Sequence, residues 1–194
     1  TKEEMRSFIQ RIPENVIVVV DEAYDTFIDV NDFPNSQRMI NNNNLIVLKT
    51  FSKAYGLAGL RIGYALANFK LAEAMEKSRQ PFNVNLLAQE AAIAALDDRK
   101  FLNKTRRVVL EGKAYLYDKL KEIGVPYVPS VANFILIDVG RPGISFFKDM
   151  LKRGVIVRDM QQYGLNNFIR VTVGTKKENE IFIKTLKKTL GGYA

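Results

Sequence analysis

One stretch narrows the folds open to this chain more than any other: residues 45–67, LIVLKTFSKAYGLAGLRIGYALA. It opens on a short apolar run, Leu-Ile-Val-Leu, the pattern of a buried strand. A second apolar run, residues 62–67, closes it. Between them lie two hydroxyls (Thr50, Ser52), then Lys53, Gly56, Gly59 and Arg61. The expected unit is therefore two buried strands joined by a loop that carries a lysine and an arginine. Lysine is costly to desolvate, so one beside a strand end either faces solvent or is recruited for chemistry. A surface lysine is the plainer reading, since the chain has 29 Lys+Arg. The alternative is a Schiff-base lysine whose pKa is lowered by burial and by the neighbouring Arg61 cation. Thr50, Ser52 and Arg61 would then hold a phosphate through hydroxyls and a guanidinium. The glycines here do not spell G-x-G-x-x-G, and no G-x-x-x-x-G-K-[ST] is present.

Composition weighs on the choice. The chain has no cysteine and no histidine. That removes disulfides, thiolate chemistry, Ser-His-Asp and Cys-His arrangements, and nearly all zinc and non-haem iron sites. Proton transfer near neutral pH is left to perturbed Lys, Asp, Glu or Tyr, so a catalytic lysine is the least strained enzymatic hypothesis. Over 194 residues the hydrophobic share is 47% and the charged share 26%, as in an ordinary globular protein. No apolar run approaches the ~20 residues needed to span a bilayer, and no signal-peptide pattern stands at Thr1. A cytoplasmic protein without a membrane partner is expected. The net charge of +8 is spread along predicted helix faces, which fits a solvated surface and an anionic ligand better than a nucleic-acid site.

Taken in order, residues 1–12 carry apolar Met5, Phe8, Ile9 and Ile12 at helical spacing, with Thr1 and Glu4 as a capping box. Residues 15–20, NVIVVV, read as a fully buried strand of the parallel type. The strand runs into Asp21-Glu22-Ala23-Tyr24, and ligands of open α/β sheets lie beyond such strand ends. Asp21 is then either a turn or capping aspartate or a ligand-facing carboxylate. A polar loop with a short helix fills residues 25–44 and ends in an asparagine turn at 41–44. Helices are expected over 69–79 and 86–96, separated by Gln80-Pro81-Phe82-Asn83-Val84-Asn85. The longest helix runs over 97–124, with one apolar stripe of Phe101, Val108 and Tyr115 beside Leu102, Val109, Leu116 and Ile123. Gly124 caps it and Pro126 stops it. Beyond this break a small α+β domain is expected: strand 133–139, helix 143–153, strands 155–158 and 168–173, helix 176–190. Arg158 and Arg170 fall in its strands, and an arginine in an apolar strand needs an anionic partner, either an internal carboxylate or a substrate.

Thr50-Phe51-Ser52-Lys53-Ala54, followed by Gly59-Leu60-Arg61-Ile62-Gly63-Tyr64, resembles the cofactor-lysine motif of fold-type I pyridoxal-phosphate aminotransferases. The spelling Ala58-Gly59-Leu60-Arg61 is most similar to the histidinol-phosphate aminotransferase family, and Asp21-Glu22-Ala23-Tyr24 is similar to that family's upstream motif. The resemblance implies an α/β fold-type I transferase. Residues 1–124 would form the C-terminal part of a large domain built on a mostly parallel sheet with helices, and residues 125–194 a small C-terminal α+β domain. Lys53 would carry pyridoxal 5'-phosphate and move the substrate α-proton. Asp21 would keep the pyridine nitrogen protonated, and Tyr24 would hydrogen-bond the ring's phenolic oxygen. Thr50, Ser52 and Arg61 would hold the phosphate. Arg170, Arg158 and Asn133 would face substrate.

The implied activity is amino transfer from histidinol phosphate to 2-oxoglutarate in histidine biosynthesis, by a cytoplasmic homodimer whose interface lies near residues 79–85. The resemblance covers only the later part of the family's pattern. The N-terminal arm, the Gly-rich phosphate turn, the aromatic that stacks on the cofactor and an Asn-Pro-x-Gly motif are not found among these residues. A fragment, inactive alone, is therefore expected. The rival readings are an aromatic amino-acid aminotransferase or a phospho-amino-acid decarboxylase of the same fold, a non-catalytic fragment, and a nucleic-acid binder resting on charge alone.

Overall fold

Alternating apolar residues and well-placed caps build two sheets, each with its own helices. The computed structural model describes residues 1–40 and 44–191. It divides into two compact units, Thr1–Asn103 and from Lys104 onward. In the first unit, helix α1 (Lys2–Arg11) begins on the expected capping box, Glu4 N–H donating to Thr1 Oγ1. Ile9 on its inner face packs with Ile40, Leu45 and Val47. Strands β1 (Val18–Asp21), β2 (Leu45–Thr50) and β3 (Gly63–Leu66) form a sheet in that order. β1 pairs parallel to β2, and β3 pairs antiparallel to it. Gly63 faces Thr50 across the ladder, where a Cβ would stand 2.7 Å from the Lys49 carbonyl oxygen. Helices α2 (Phe69–Ser78) and α3 (Leu86–Asp97) follow, each capped by an asparagine side chain, Asn68 and Asn85.

Three expectations change here. β1 begins at Val18 rather than Asn15, and it is not fully buried. Val19 is 56% exposed, because β1 is an edge strand and its alternate residues turn to the uncovered face of the sheet. β3 is likewise largely exposed, so among the described strands of this sheet only β2 is buried. The polar loop holds two short 3₁₀ turns, Asp25–Phe27 and Ser36–Met39. Of the asparagine turn, residues 41–43 lie outside the described residues.

Helix α4 (Arg99–Glu122) begins in the first unit and continues into the second. Its buried line is Val109, Gly112, Lys113, Leu116 and Leu120, whereas Phe101 is exposed. Gly124 takes the expected left-handed cap at φ +68°. The second sheet runs β4 (Tyr127–Val128), β5 (Phe134–Asp138), β7 (Phe168–Thr172), β6 (Arg158–Asp159), antiparallel throughout. β4 was not expected, and residues 155–157 lie outside β6. One face of this sheet buries Ile135, Ile137, Ile169 and Val171. Helix α5 (Gly143–Lys152) packs on β7 and on α6 (Lys176–Gly191), which supply Phe146, Met150, Phe182, Ile183 and Leu186 to the core. No described helix is long and apolar enough to cross a membrane.

Candidate active site

The carboxyl ends of β1 and β2 lie side by side because the two strands are parallel and in register, Asp21 opposite Leu48. Whatever follows each strand therefore meets at one end of the sheet. Asp21 is exposed there, and its Oδ1 accepts from the Ala23 N–H at 3.0 Å. One carboxylate oxygen thus shapes the turn while the other stays available. Tyr24 heads the 3₁₀ turn at Asp25, and the Lys53 Nζ sits 5.2 Å from the centre of its ring. Two motifs far apart in the chain meet in that cation–π contact.

On the β2 side, Thr50 Oγ1 accepts from the Ser52 N–H at 3.0 Å, which leaves the Thr50 hydroxyl proton free to donate. Phe51 anchors the loop from beneath, buried with Ile62, Ala88 and Ala92, and its ring packs tilted against Tyr55 with the ring centres 5.0 Å apart. Arg61 closes the loop in the left-handed region at φ +54°, uncommon for a side-chain-bearing residue. Its Nη1 donates to the Ala58 carbonyl at 2.9 Å, and the residue is exposed. Six sequence candidates (Asp21, Tyr24, Thr50, Ser52, Lys53, Arg61) thus belong to one strand-end region. The burial invoked for Lys53 is not found: its side chain is exposed. A depression of about 430 Å³ lies at the other end of these strands, among Ile9, Val16, Val18 and Leu45, and holds none of the six.

Three charged residues beside this region escaped the sequence reading. Lys49 is only 9% exposed, and its ammonium donates to the Glu22 carboxylate at 2.5 Å and to the Asp25 carboxylate. Burial, the largest single influence, lowers the Lys49 pKa, but Asp25 and Glu22 together outweigh it and the net shift is upward. The legible signal was a lysine on the buried parity of an otherwise apolar strand, with two acids just past the neighbouring strand.

In the second unit, β6 and β7 set Arg158 directly opposite Arg170. Arg170 lies on the face away from the Ile169 and Val171 core, half-buried, with its Cζ 4.9 Å from the Phe134 ring centre. Arg158 is exposed, and its Nη2 donates to the Tyr163 hydroxyl at 3.1 Å. Like charges directly across a ladder repel. Among the described residues neither arginine has a carboxylate partner within ion-pair distance. Two aromatic rings hold the guanidiniums in place, and the forks remain open to an anion. Asn133 precedes β5, and its carbonyl accepts from the Val173 N–H at 2.8 Å.

Comparison with known proteins identifies the family. The family model for aminotransferase class I and II matches residues 1–186. Histidinol-phosphate aminotransferase 2 of Carboxydothermus hydrogenoformans is 48% identical over 192 residues, covering 98% of this chain and 53% of that protein. Histidinol-phosphate aminotransferase of Moorella thermoacetica is 45% identical over 185 residues, 94% of this chain and 48% of that protein. Among solved structures, histidinol-phosphate aminotransferase from Sinorhizobium meliloti in complex with pyridoxal-5'-phosphate superposes with a TM-score of 0.88 at 30% identity, covering 100% of this chain and 54% of that one. The chain spans about half the length of the curated relatives it matches.

Proposed function

The chain belongs to the aminotransferase class I and II family, and on that premise we propose that the whole protein is a pyridoxal-phosphate-dependent histidinol-phosphate:2-oxoglutarate aminotransferase of histidine biosynthesis. The observation that carries this reading is the contact of Lys53 with the Tyr24 ring beside the strand end that Asp21 occupies, where parallel β1 and β2 end side by side. The residues present fit the cofactor: a carboxylate for a ring nitrogen, a phenol, a primary amine, and two hydroxyls with a guanidinium for a phosphate. When bound, the cofactor supplies an electron sink that acidifies the hydrogen on the substrate's amine-bearing carbon.

The chain's own residues do the rest. Lys53 would hold the cofactor through its amine, and the same amine would carry the proton from and to the substrate's reacting carbon. Asp21 holds a proton on the ring nitrogen by charge. Tyr24 donates to the ring oxygen, and Thr50, Ser52 and Arg61 grip the phosphate. Arg158 and Arg170 orient the anionic end of each substrate, the phosphate of the donor and a carboxylate of the acceptor, and Asn133 lines the same edge. Over the full cycle the amino group passes to the keto carbon of 2-oxoglutarate, giving glutamate, and the donor leaves as the matching ketone. We assign residues 1–124 to the C-terminal part of a large cofactor domain and 125–194 to a small C-terminal domain, in a cytoplasmic homodimer. The two histidinol-phosphate aminotransferases to which the chain is similar support the choice of substrate.

The test is glutamate formation by the full-length protein with cofactor, 2-oxoglutarate and a panel of amino donors. Histidinol phosphate is expected to give the highest kcat/KM. An inert histidinol phosphate beside active aromatic amino acids, or release of carbon dioxide from a phosphorylated amino acid, would overturn the assignment.

A further inference from the structure

The proposed chemistry makes no use of Lys49, Glu22 and Asp25, yet each adjoins a residue that it does use. Glu22 follows Asp21, Asp25 follows Tyr24, and Lys49 precedes Thr50. The backbone ladder joins β1 to β2 as far as Asp21 and Leu48, with the Glu22 N–H donating to the Leu48 carbonyl at 3.0 Å. Beyond that point the connection passes to side chains. Leu48 points to the open face and Lys49 to the buried one, where its ammonium meets a carboxylate from each end of the turn at residues 22–25.

As a source of stability this cluster is a poor choice. Burying ions costs much of what their attraction returns, and apolar residues of similar volume often do as well. Its distinctive property is geometric, because three charges with short hydrogen bonds admit one arrangement, whereas an apolar contact admits many. We propose that Lys49 is a positioning residue that locks the turn after β1 to the end of β2, and so fixes Asp21 and Tyr24 relative to Thr50, Ser52 and Lys53. This inference rests on the cofactor reading above. The upward shift of the Lys49 pKa agrees with it, since the ammonium stays charged in spite of its burial.

The experiment compares Lys49→Met, Lys49→Arg and Asp25→Asn in the full-length protein, with two readouts. The first is amide hydrogen exchange without cofactor. In Lys49→Met the Glu22 and Ser52 amides should exchange at least about tenfold faster, while the Val47 amide in the strand core stays unchanged. The second is pyridoxal phosphate affinity, which should fall by at least about tenfold in the same variant. Lys49→Arg, which can still reach two carboxylates, should stay within about threefold of the unchanged protein in both. If Lys49→Met does not fold, Asp25→Asn serves in its place: that carboxylate is 35% exposed, and the same local pattern is expected at about threefold or more. Unchanged exchange and affinity would overturn the proposal. So would faster exchange that includes Val47, which marks a merely structural ion cluster. Failure of the unchanged protein to take pyridoxal phosphate on Lys53 would instead overturn the cofactor reading, while the exchange data still decide whether Lys49 joins the two turns.

Discussion

Arg170 shows how far a single residue can be read. A guanidinium within Phe-Ile-Arg-Val-Thr announces an anion in the sequence, and among the described residues no internal carboxylate answers it. The Phe134 ring lies 4.9 Å from its Cζ, and Arg158 stands opposite it across the ladder. Arg170→Lys keeps the charge and loses the planar fork. We expect KM for the anionic acceptor to rise by about tenfold or more with the unfolding midpoint unchanged. An unchanged KM would make the arginine pair structural. The strand's alternation was readable as well: Ile169 and Val171 face the core, so Arg170 must face away from it. Lys49 was harder, because its parity pointed inward and only the tertiary pairing of β1 with β2 brings Glu22 and Asp25 to it. Lys53 was identified by its motif, but its exposure could not be read, since burial belongs to what surrounds a loop and not to the loop's own letters.

At the scale of elements, helix α4 separates what periodicity tells from what packing decides. The heptad pattern located the helix and picked Val109 and Leu116 correctly as buried. It also favoured Phe101, which is 45% exposed, and passed over Gly112 and Lys113. Lys113 is buried because its Nζ donates to the Ser130 carbonyl at 2.9 Å. Gly112 is buried because the chain passes close: an added Cβ would lie 2.5 Å from Val173 Cγ1 and 2.8 Å from Asn179 Nδ2. In an open helix Gly→Ala stabilises by about 1 kcal/mol. Here overpacking, typically ~1–3 kcal/mol, acts against that gain. Asn179 cannot easily yield, since its side chain bonds both the N–H and the carbonyl of Gly174. Gly112→Ala is therefore expected to lower the denaturant midpoint with m unchanged, and a raised midpoint would show that the neighbours give way. The strands follow the same rule. β2 is buried as its apolar run suggested, but β1 and β3 carry similar apolar runs and lie half-exposed and largely exposed, because burial of a strand depends on what covers the sheet.

Across the whole molecule, the candidates divide by role as well as by place. Asp21, Tyr24, Thr50, Ser52, Lys53 and Arg61, the proposed cofactor set, lie in the first unit, and Asn133, Arg158 and Arg170, the proposed substrate set, lie in the second. Each set is organised by its own sheet: parallel strand ends in the first, a cross-strand pair in the second. One atom is central to the proposed chemistry, the Lys53 Nζ. The measurement that reaches it most directly is borohydride reduction of the full-length protein after incubation with pyridoxal phosphate, followed by peptide mass mapping. Reduction should fix the cofactor's mass on the peptide carrying Lys53 and on no other lysine to a comparable extent. Equal labelling of Lys49 or of surface lysines, or no label at all, would contradict the account.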